Sequence, residues 1–452
     1  MRDLLLLSVL PFVILAIAKR PFIGLGLWIW TALFFPNAWV YGPAAILRYN
    51  LLFTAVAIIS YVCMQNKPRM VLGGLGSLVL LFFLWTTLST MMTLAPPEKS
   101  WEIWSRFAKV ITLFVFILLV VEKKLHVDFF LWCVVLSVGF YANLEGLKFI
   151  ASGGGHKISG LHGHVLADRN ELSLAFTMTL PICYYLLGEY GKRSRVVHFG
   201  LLCTMGLLVT SIIGTQSRGG FVAMAGLGIY LFIKSKQKIP MAILGGMLAF
   251  ALSHIVSDEW ANRMNTIESA DSDSSFMGRV VAWKLSFILA MKNPFFGGGF
   301  KGLEYFPVWS MLSREFFSYP WFYTGTALPN TEYARAAHSI YFQVLGDQGF
   351  VGLAIFLAIL GFTFLKASRL SRKVKQLGGP EWIVNVSTML QLSLFAYALG
   401  GAALSFAYFE LVYAIVALII VLDARVLPAV LKMQNTGQIA SQDCAPPSLG
   451  RQ

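Results

Sequence analysis

Arginine and histidine side chains stand at the edges of long apolar segments of this 452-residue chain. Arg218 occurs in the sequence Ser217-Arg218-Gly219-Gly220 between two such segments, and His338 directly precedes another. Guanidinium groups bind phosphate oxygens through bidentate bonds and stay charged at any relevant pH. An imidazole with an ordinary pKa can accept a proton at neutral pH. These residue types predict anion binding beside a general base.

Transmembrane helices are the elements that must position these side chains. Hydrophobic residues make up 57% of the chain and charged residues only 13%, whereas an ordinary soluble domain is about 25% charged. Such a chain cannot bury its apolar surface in a water-facing globule, which excludes a cytosolic enzyme, a DNA-binding protein and a disordered scaffold. The net charge of +14 is therefore assigned to cytoplasmic loops rather than to nucleic acid.

Thirteen apolar runs have a length close to that of a membrane span. They lie at about 4–18, 21–38, 45–64, 71–95, 107–121, 126–148, 171–187, 197–214, 219–233, 239–255, 339–365, 385–404 and 407–424. The first two runs are short and are divided by Lys19 and Arg20, so together they should give one full span and a partial or tilted element. The sequence therefore predicts an all-α polytopic membrane protein with about 12 transmembrane helices.

Basic residues occur in every second loop and predict the orientation of the chain. They fall at 67–69, 123–124, 192–195, 234–238 and 369–375, and such loops face the cytoplasm. The predicted organisation is an N-terminal transmembrane bundle, a large periplasmic loop, C-terminal transmembrane helices and a flexible cytoplasmic tail, at 1–255, 256–338, 339–432 and 433–452. Helical spacing of Arg279, Trp283 and Phe287 predicts that the loop is partly helical.

This orientation places the chemically interesting polar residues together at the outer face. They are Asp168, Arg169, Asn170, Glu171, Arg218, Arg263, Arg279, Arg335 and His338. Structural alternatives remain open for single members, since Arg218 is equally compatible with an interfacial anchor on lipid phosphate. His338 alone is compatible with a polar residue at a helix start. For the dense aromatic residues between 305 and 323, an interfacial belt is favoured over stacking on sugar rings.

Metal-binding patterns are weak in this sequence. Asp271-Ser272-Asp273 matches the two-aspartate pattern of many sugar-nucleotide transferases, but it lies in a serine-rich stretch without apolar neighbours. His162 and His164 form a pair without an obvious third ligand. No metal site and no cofactor are predicted.

Three motifs in a fixed order resemble those of a known family. They are Ser217-Arg218-Gly219-Gly220, then Arg279-x3-Trp283 with Asn293-Pro294-x2-Gly297-x-Gly299, then His338-Ser339-x3-Gln343 with Gly349. The set resembles the O-antigen ligase and polymerase superfamily of bacterial envelope proteins, over about 160–365, and Asp168-Arg169-Asn170 resembles an upstream Asp-x-Asn element of the same family. The first 120 residues resemble a subgroup of O-glycosylation ligases, which leaves the acceptor open.

The resemblance implies a reaction and a role for each site residue. A glycan on undecaprenyl diphosphate would pass to a sugar hydroxyl of lipid A–core, by metal-independent, inverting transfer at the periplasmic face of the bacterial inner membrane. His338 would be the base, and Arg218 and Arg279 would bind the diphosphate. Further substrate-binding candidates are Arg263, Arg169, Asp168, Asn170 and Gln343.

Other functions remain open. Within the superfamily, the protein could be an O-antigen polymerase or a protein O-oligosaccharyltransferase. Outside it, a transporter of lipid-linked glycans is an alternative. The large one-sided loop, the clustering of charged residues at one face and the lack of a detectable internal repeat count against the transporter.

Overall fold

The computed structural model describes residues 2–234, 274–320 and 333–434, together with the single positions 238 and 246. These residues form helices and connecting loops, with no β-strand in the described part of the chain. The helices are α1 (Arg2–Lys19), α2 (Pro21–Phe34), α3 (Pro43–Ile46), α4 (Tyr49–Cys63), α5 (Gly73–Met91), α6 (Pro97–Val120), α7 (Lys124–Ala151), α8 (Arg169–Tyr190), α9 (Arg195–Gly214), α10 (Arg218–Lys234), α11 (Ser274–Lys292), α12 (Phe306–Arg314), α13 (Ile340–Gln376), α14 (Glu381–Gly400) and α15 (Glu410–Val421).

Eight of the described helices are long and apolar enough to cross a membrane: α5, α6, α7, α8, α9, α13, α14 and α15 with its extension to Gln434. Three shorter apolar helices accompany them: α2, α4 and α10. The all-α polytopic architecture is therefore confirmed. The predicted run 239–255 lies outside the described residues, so the number of crossings stays a prediction.

Helix α15 lies at the centre of the bundle. All its residues from Leu411 to Val421 are buried, as expected of a helix that is apolar on every side. It packs against α5, α6, α13 and α14. The surrounding helices keep exposed apolar faces, including Phe199 on α9 and Phe362 on α13, which suits contact with lipid.

One end of the bundle, here called the basic end, carries the loops that are rich in lysine and arginine. Arg425 Nη1 donates to the carbonyl of Val121 at 2.7 Å and so caps the C-terminus of α6. The buried carboxylate of Asp128 accepts from Lys124 Nζ at 2.6 Å and from the Tyr185 hydroxyl at 2.7 Å. These contacts connect α6, α7, α8 and α15 through charged and polar side chains.

The opposite end, here called the site end, brings together the segments at 35–48, 92–96, 152–168, 215–217, 293–305, 333–339 and 401–409. Ile158 N–H donates to the carbonyl of Gly214 at 3.0 Å, and Leu94 N–H donates to Gly298 at 2.9 Å. The two groups of loops that the basic residues distinguish thus lie at opposite ends of the bundle. The segments carrying the predicted site residues meet at the site end.

The long loop has a small hydrophobic core of its own. It forms between α11 and α12 from residues including Leu285, Ile288, Trp309 and Phe316. Trp309 and Phe316 are fully buried, so the favoured aromatic belt is wrong for these two residues. Helix α12 is amphipathic, and its apolar face packs on α11 rather than on lipid. Phe317 remains 57% exposed.

A break in α13 fixes the geometry of the site end. Gly349 has φ +70° and separates the short helix 340–348 from the long remainder of α13. The turn 293–302 lies against this break: Gly298 N–H donates to Gly346 at 2.8 Å, and Phe350 N–H donates to Pro294 at 2.9 Å. A β carbon on Gly349 would collide with the carbonyl of Pro294, so both the backbone conformation and the close approach require glycine.

Candidate active site

His338 lies at the junction between the long loop and α13, in a strained conformation. Its φ is +47°, an angle that non-glycine residues rarely adopt and that costs about 1–3 kcal/mol. Its backbone N–H donates to Ser405 Oγ at 2.8 Å, and its side chain is exposed. The other described non-glycine residues with positive φ are Phe35, Gln216 and Lys301, and they too lie at the site end. Backbone strain is thus concentrated where the predicted site residues meet.

Helix α11 holds the segment that carries His338. Trp283 Nε1 donates to the carbonyl of Ala337 at 2.7 Å, and its ring stacks on Phe342 with centroids 5.3 Å apart. Arg279 lies one turn before Trp283 on the same face of the helix. The predicted spacing of arginine and tryptophan therefore places a guanidinium and the histidine segment side by side.

The charges around His338 favour its neutral form. Although His338 is exposed to solvent, neighbouring protein atoms partly desolvate its imidazole; this desolvation and the nearby Arg279 guanidinium lower the pKa of His338 below its ordinary value, and Arg335 adds to the effect. The carboxylates of Asp168 and Glu304 act in the opposite direction. Because the net shift is downward, the imidazole is free to accept a proton at neutral pH.

The N-termini of α8 and α10 interlock beside this segment. Asp168 caps α8 by accepting from the N–H of Asn170 at 2.7 Å. Ser217 Oγ donates to Asn170 Oδ1 at 2.8 Å and accepts from the N–H of Gly220 at 3.2 Å. Arg218 is the first residue of α10. Two helix N-termini, each favourable for an anion, are therefore fixed to each other through the Asp-x-Asn and Ser-Arg-Gly-Gly elements.

The turn 401–405 connects these N-termini to His338. Gly219 at the start of α10 lies close to Ala403, while Ser405 accepts from the His338 N–H. The structure therefore brings Arg279 and Asp168 within electrostatic range of His338, and the start of α10, where Arg218 stands, lies at the same end of the bundle. Arg263 lies outside the described residues.

Arg169 and Gln343 take places at the ends of their helices. Arg169 is the first residue of α8 and is partly buried. Gln343 Oε1 accepts from the N–H of Ala407 at 3.1 Å, so its side-chain carbonyl holds the loop 401–409 against α13. This contact suits a positioning role for Gln343.

Lys301 and Glu304 were missed by the sequence reasoning. Lys301 has φ +64°, and its Nζ donates to Glu304 Oε2 at 2.7 Å. The carboxylate of Glu304 in turn acts to raise the pKa of His338. The run of glycines at 297–302 was a signal for an unusual backbone, but it does not reveal which distant side chains the turn would approach.

The histidine pair of the sequence is not brought to a metal-like arrangement. His164 Nε2 bonds to the carbonyl of Ala32 at 2.8 Å, and its Nδ1 accepts from the N–H of Leu166 at 3.3 Å. Within the part of the chain that the structure describes, no three His, Cys, Asp or Glu side chains converge. Asp271 and Asp273 lie outside that part.

Two known families match segments of this chain, which together span residues 1–357. Residues 175–357 match the O-antigen ligase family, whose members are ligases and polymerases of the glycosyltransferase type. Residues 1–190 match a family of unknown function. No curated protein matches the chain. The matched segment contains Arg218, Arg279 and His338, and the match supports a relation of this multi-pass membrane protein to the O-antigen ligase superfamily.

Proposed function

We propose that this protein is an O-antigen ligase that transfers a glycan from undecaprenyl diphosphate to a sugar hydroxyl of lipid A–core. One observation carries the proposal. A histidine with positive φ lies near Arg279, and the turn 401–405 connects it to the start of α10, which carries Arg218. A base and two cations are what glycan transfer from a diphosphate requires.

The reaction follows from these groups. The neutral imidazole of His338 takes the proton of the acceptor hydroxyl as its oxygen attacks the anomeric carbon. A new glycosidic C–O bond forms on the face opposite the diphosphate, so the configuration inverts. The bond between the anomeric carbon and the diphosphate oxygen breaks, and undecaprenyl diphosphate leaves with the electron pair.

Negative charge grows on the diphosphate as this bond breaks. Arg218 and Arg279 are placed to bind it, and the N–H groups at the starts of α8 and α10 add positive potential. Arg169, Arg263 and Asn170 are further contacts for the donor. Because guanidinium groups can supply this charge stabilisation, the transfer is proposed to need no metal ion.

The proposed side of the membrane follows from the basic residues. Loops rich in lysine and arginine face the cytoplasm, and they lie at the basic end. The site end then faces the periplasm, where a lipid-linked glycan and the lipid A–core acceptor meet in the inner membrane.

An in vitro transfer assay tests the proposal. Purified protein is mixed with undecaprenyl-diphosphate-linked glycan, rough lipopolysaccharide and excess EDTA, and products are separated on a gel. We expect wild type to produce glycan-capped lipopolysaccharide and His338→Ala to produce none while keeping its fold. His162→Ala is the matched control, since it also removes an exposed imidazole at the site end. Transfer by His338→Ala would refute the assignment of the base, and loss of wild-type activity in EDTA would refute metal independence.

The identity of the acceptor distinguishes this proposal from the other functions that remain open. Residues 1–190 match a family of unknown function. The anchor of the product separates the remaining candidates. Glycan on lipid A–core supports the ligase, an extended glycan on undecaprenyl diphosphate would indicate a polymerase, and glycan on polypeptide would indicate a protein O-oligosaccharyltransferase. Movement of donor across a bilayer without a new glycosidic bond would indicate a transporter.

A further inference from the structure

We propose that a cavity at the site end binds a phosphate-bearing sugar of the acceptor. This inference rests on the proposed glycan transfer. The cavity has a volume of about 380 Å³ and lies between the start of α6 and the turn that follows Gly299. Its polar and aromatic lining consists of Lys99, Glu102, Arg106, Lys301, Glu304 and Tyr305.

The lining combines three cations with two carboxylates, an arrangement suited to a phosphorylated sugar. Arg106 pairs with Glu102 at 2.6 Å in an exposed salt bridge, and Lys301 pairs with Glu304 at 2.7 Å. The Lys99 side chain is exposed and forms no ion pair with any residue that the structure describes. Exposed ion pairs contribute little to the stability of a protein, so these cations can leave their carboxylates and bind a phosphate through charge-assisted hydrogen bonds.

The remaining lining suits the sugar itself. The carboxylates can accept hydrogen bonds from hydroxyl groups, and the ring of Tyr305 offers a flat apolar face. Ile103 and Ala95 make part of the wall apolar. The cavity therefore presents groups for a sugar ring as well as for its phosphate.

The cavity and the base share a wall. Lys301 and Glu304 line the cavity, while Glu304 also acts on the charge of His338. The N–H of Gly299, two residues before Lys301, donates to the carbonyl of Asp347 at 3.0 Å, in the short helix that follows His338. A sugar held in the cavity therefore lies beside Glu304, a residue within electrostatic range of the proposed base, so a neighbouring sugar of the same acceptor can present its hydroxyl to His338.

The cavity also lies at the depth that a lipid-anchored acceptor requires. Trp101 and Trp104 occupy the first turns of α6, and Trp101 is 36% exposed. Tryptophan is enriched at the headgroup level of membranes. An acceptor anchored in the bilayer can thus bring its phosphorylated sugars to this opening laterally.

The test compares phosphorylated with dephosphorylated rough lipopolysaccharide as acceptor. The variant is Lys99→Gln with Arg106→Gln, and the matched control is Lys109→Gln, an exposed lysine on the same helix outside the cavity. We expect the double variant to raise KM for phosphorylated acceptor roughly 10-fold and to leave KM for the donor unchanged. KM for the dephosphorylated acceptor should be high and equal in all proteins. Equal effects on both acceptors, or a raised KM for the donor, would overturn the inference.

A binding arm separates this inference from the proposed function. His338→Ala protein in phosphatidylethanolamine nanodiscs is titrated with both forms of rough lipopolysaccharide, so that no turnover occurs. Phosphate-dependent binding that the double variant weakens supports the site even where wild type transfers no glycan. Transfer by wild type without phosphate-dependent binding overturns the site and leaves the ligase. Equal displacement by phosphatidylglycerol overturns the assignment, because the ligand would then be a phospholipid headgroup.

Discussion

Trp283→Phe tests whether α11 positions the proposed base. The substitution removes the five-membered ring of the indole with its N–H, which donates to the carbonyl of Ala337 at 2.7 Å. Phenylalanine keeps an aromatic ring that can stack on Phe342, as the indole does with centroids 5.3 Å apart. The residue after Ala337 is His338, so the lost bond frees the segment that holds the imidazole.

The size of the effect follows from the bond that is lost. A carbonyl left without its donor in a partly buried place costs about 1–3 kcal/mol. If about 2 kcal/mol of this is needed to hold His338 in its strained conformation, the rate of transfer falls roughly 30-fold. We expect the loss in kcat, since Trp283 is a positioning residue, with KM for both substrates nearly unchanged.

The matched control is Trp104→Phe. Its Nε1 donates to Thr87 Oγ1 at 2.9 Å, so the same group is lost at the same end of the bundle but away from His338. Initial rates and thermal unfolding are measured for both variants, together with the pH profile of kcat. Equal loss of activity in the two variants, or a loss in Trp283→Phe that merely follows its stability, would refute the positioning role.

Four further substitutions have expected outcomes. Gly349→Ala should destabilise the protein by about 2–4 kcal/mol, because the residue has a positive φ and its new β carbon would collide with backbone atoms. The measurement is the unfolding temperature. The control is Gly361→Ala on the same helix, whose new β carbon would meet no atom within 4 Å and should not destabilise the protein. Arg335→Gln should raise the pKa of the proposed base and move the acid limb of kcat/KM to higher pH; Glu304→Gln should move it to lower pH. Activity is present above that pKa and is lost as the pH falls through it. Ser217→Ala removes the side-chain cap of α10 and should raise KM for the lipid-linked donor about 5-fold. A wild-type KM in this variant would refute a role for the N-terminus of α10 in donor binding.

Much of the architecture could be predicted because apolar length determines where helices form. Twelve of the thirteen apolar runs coincide with described helices. The spacing of Arg279 and Trp283 likewise predicted a shared helical face, since this relation is local in sequence. Local patterns were thus sufficient for the helices and for the face of α11 that reaches the histidine segment.

Contacts between distant segments could not be predicted in this way. The N–H of Gly299 reaches the carbonyl of Asp347 only because the turn 293–302 lies against the break at Gly349, and Ser405 reaches His338 from a separate loop. No local periodicity encodes such pairs. The aromatic belt failed for the same reason: Trp309 has a partner in α11, a helix that composition alone does not place beside it.

The contacts between the turn 293–302 and α13 have a consequence for how acceptor choice can change. Gly298 with Gly346 and Phe350 with Pro294 bond through main-chain atoms, so the frame of the turn does not depend on side-chain identity away from its glycines. Lys301 lies in this turn and Tyr305 follows it, and both residues line the cavity. Side chains at these two positions can be exchanged to suit differently charged acceptors while the scaffold, and the histidine it supports, stay in place. The turn is therefore the natural starting point for redesigning acceptor selectivity.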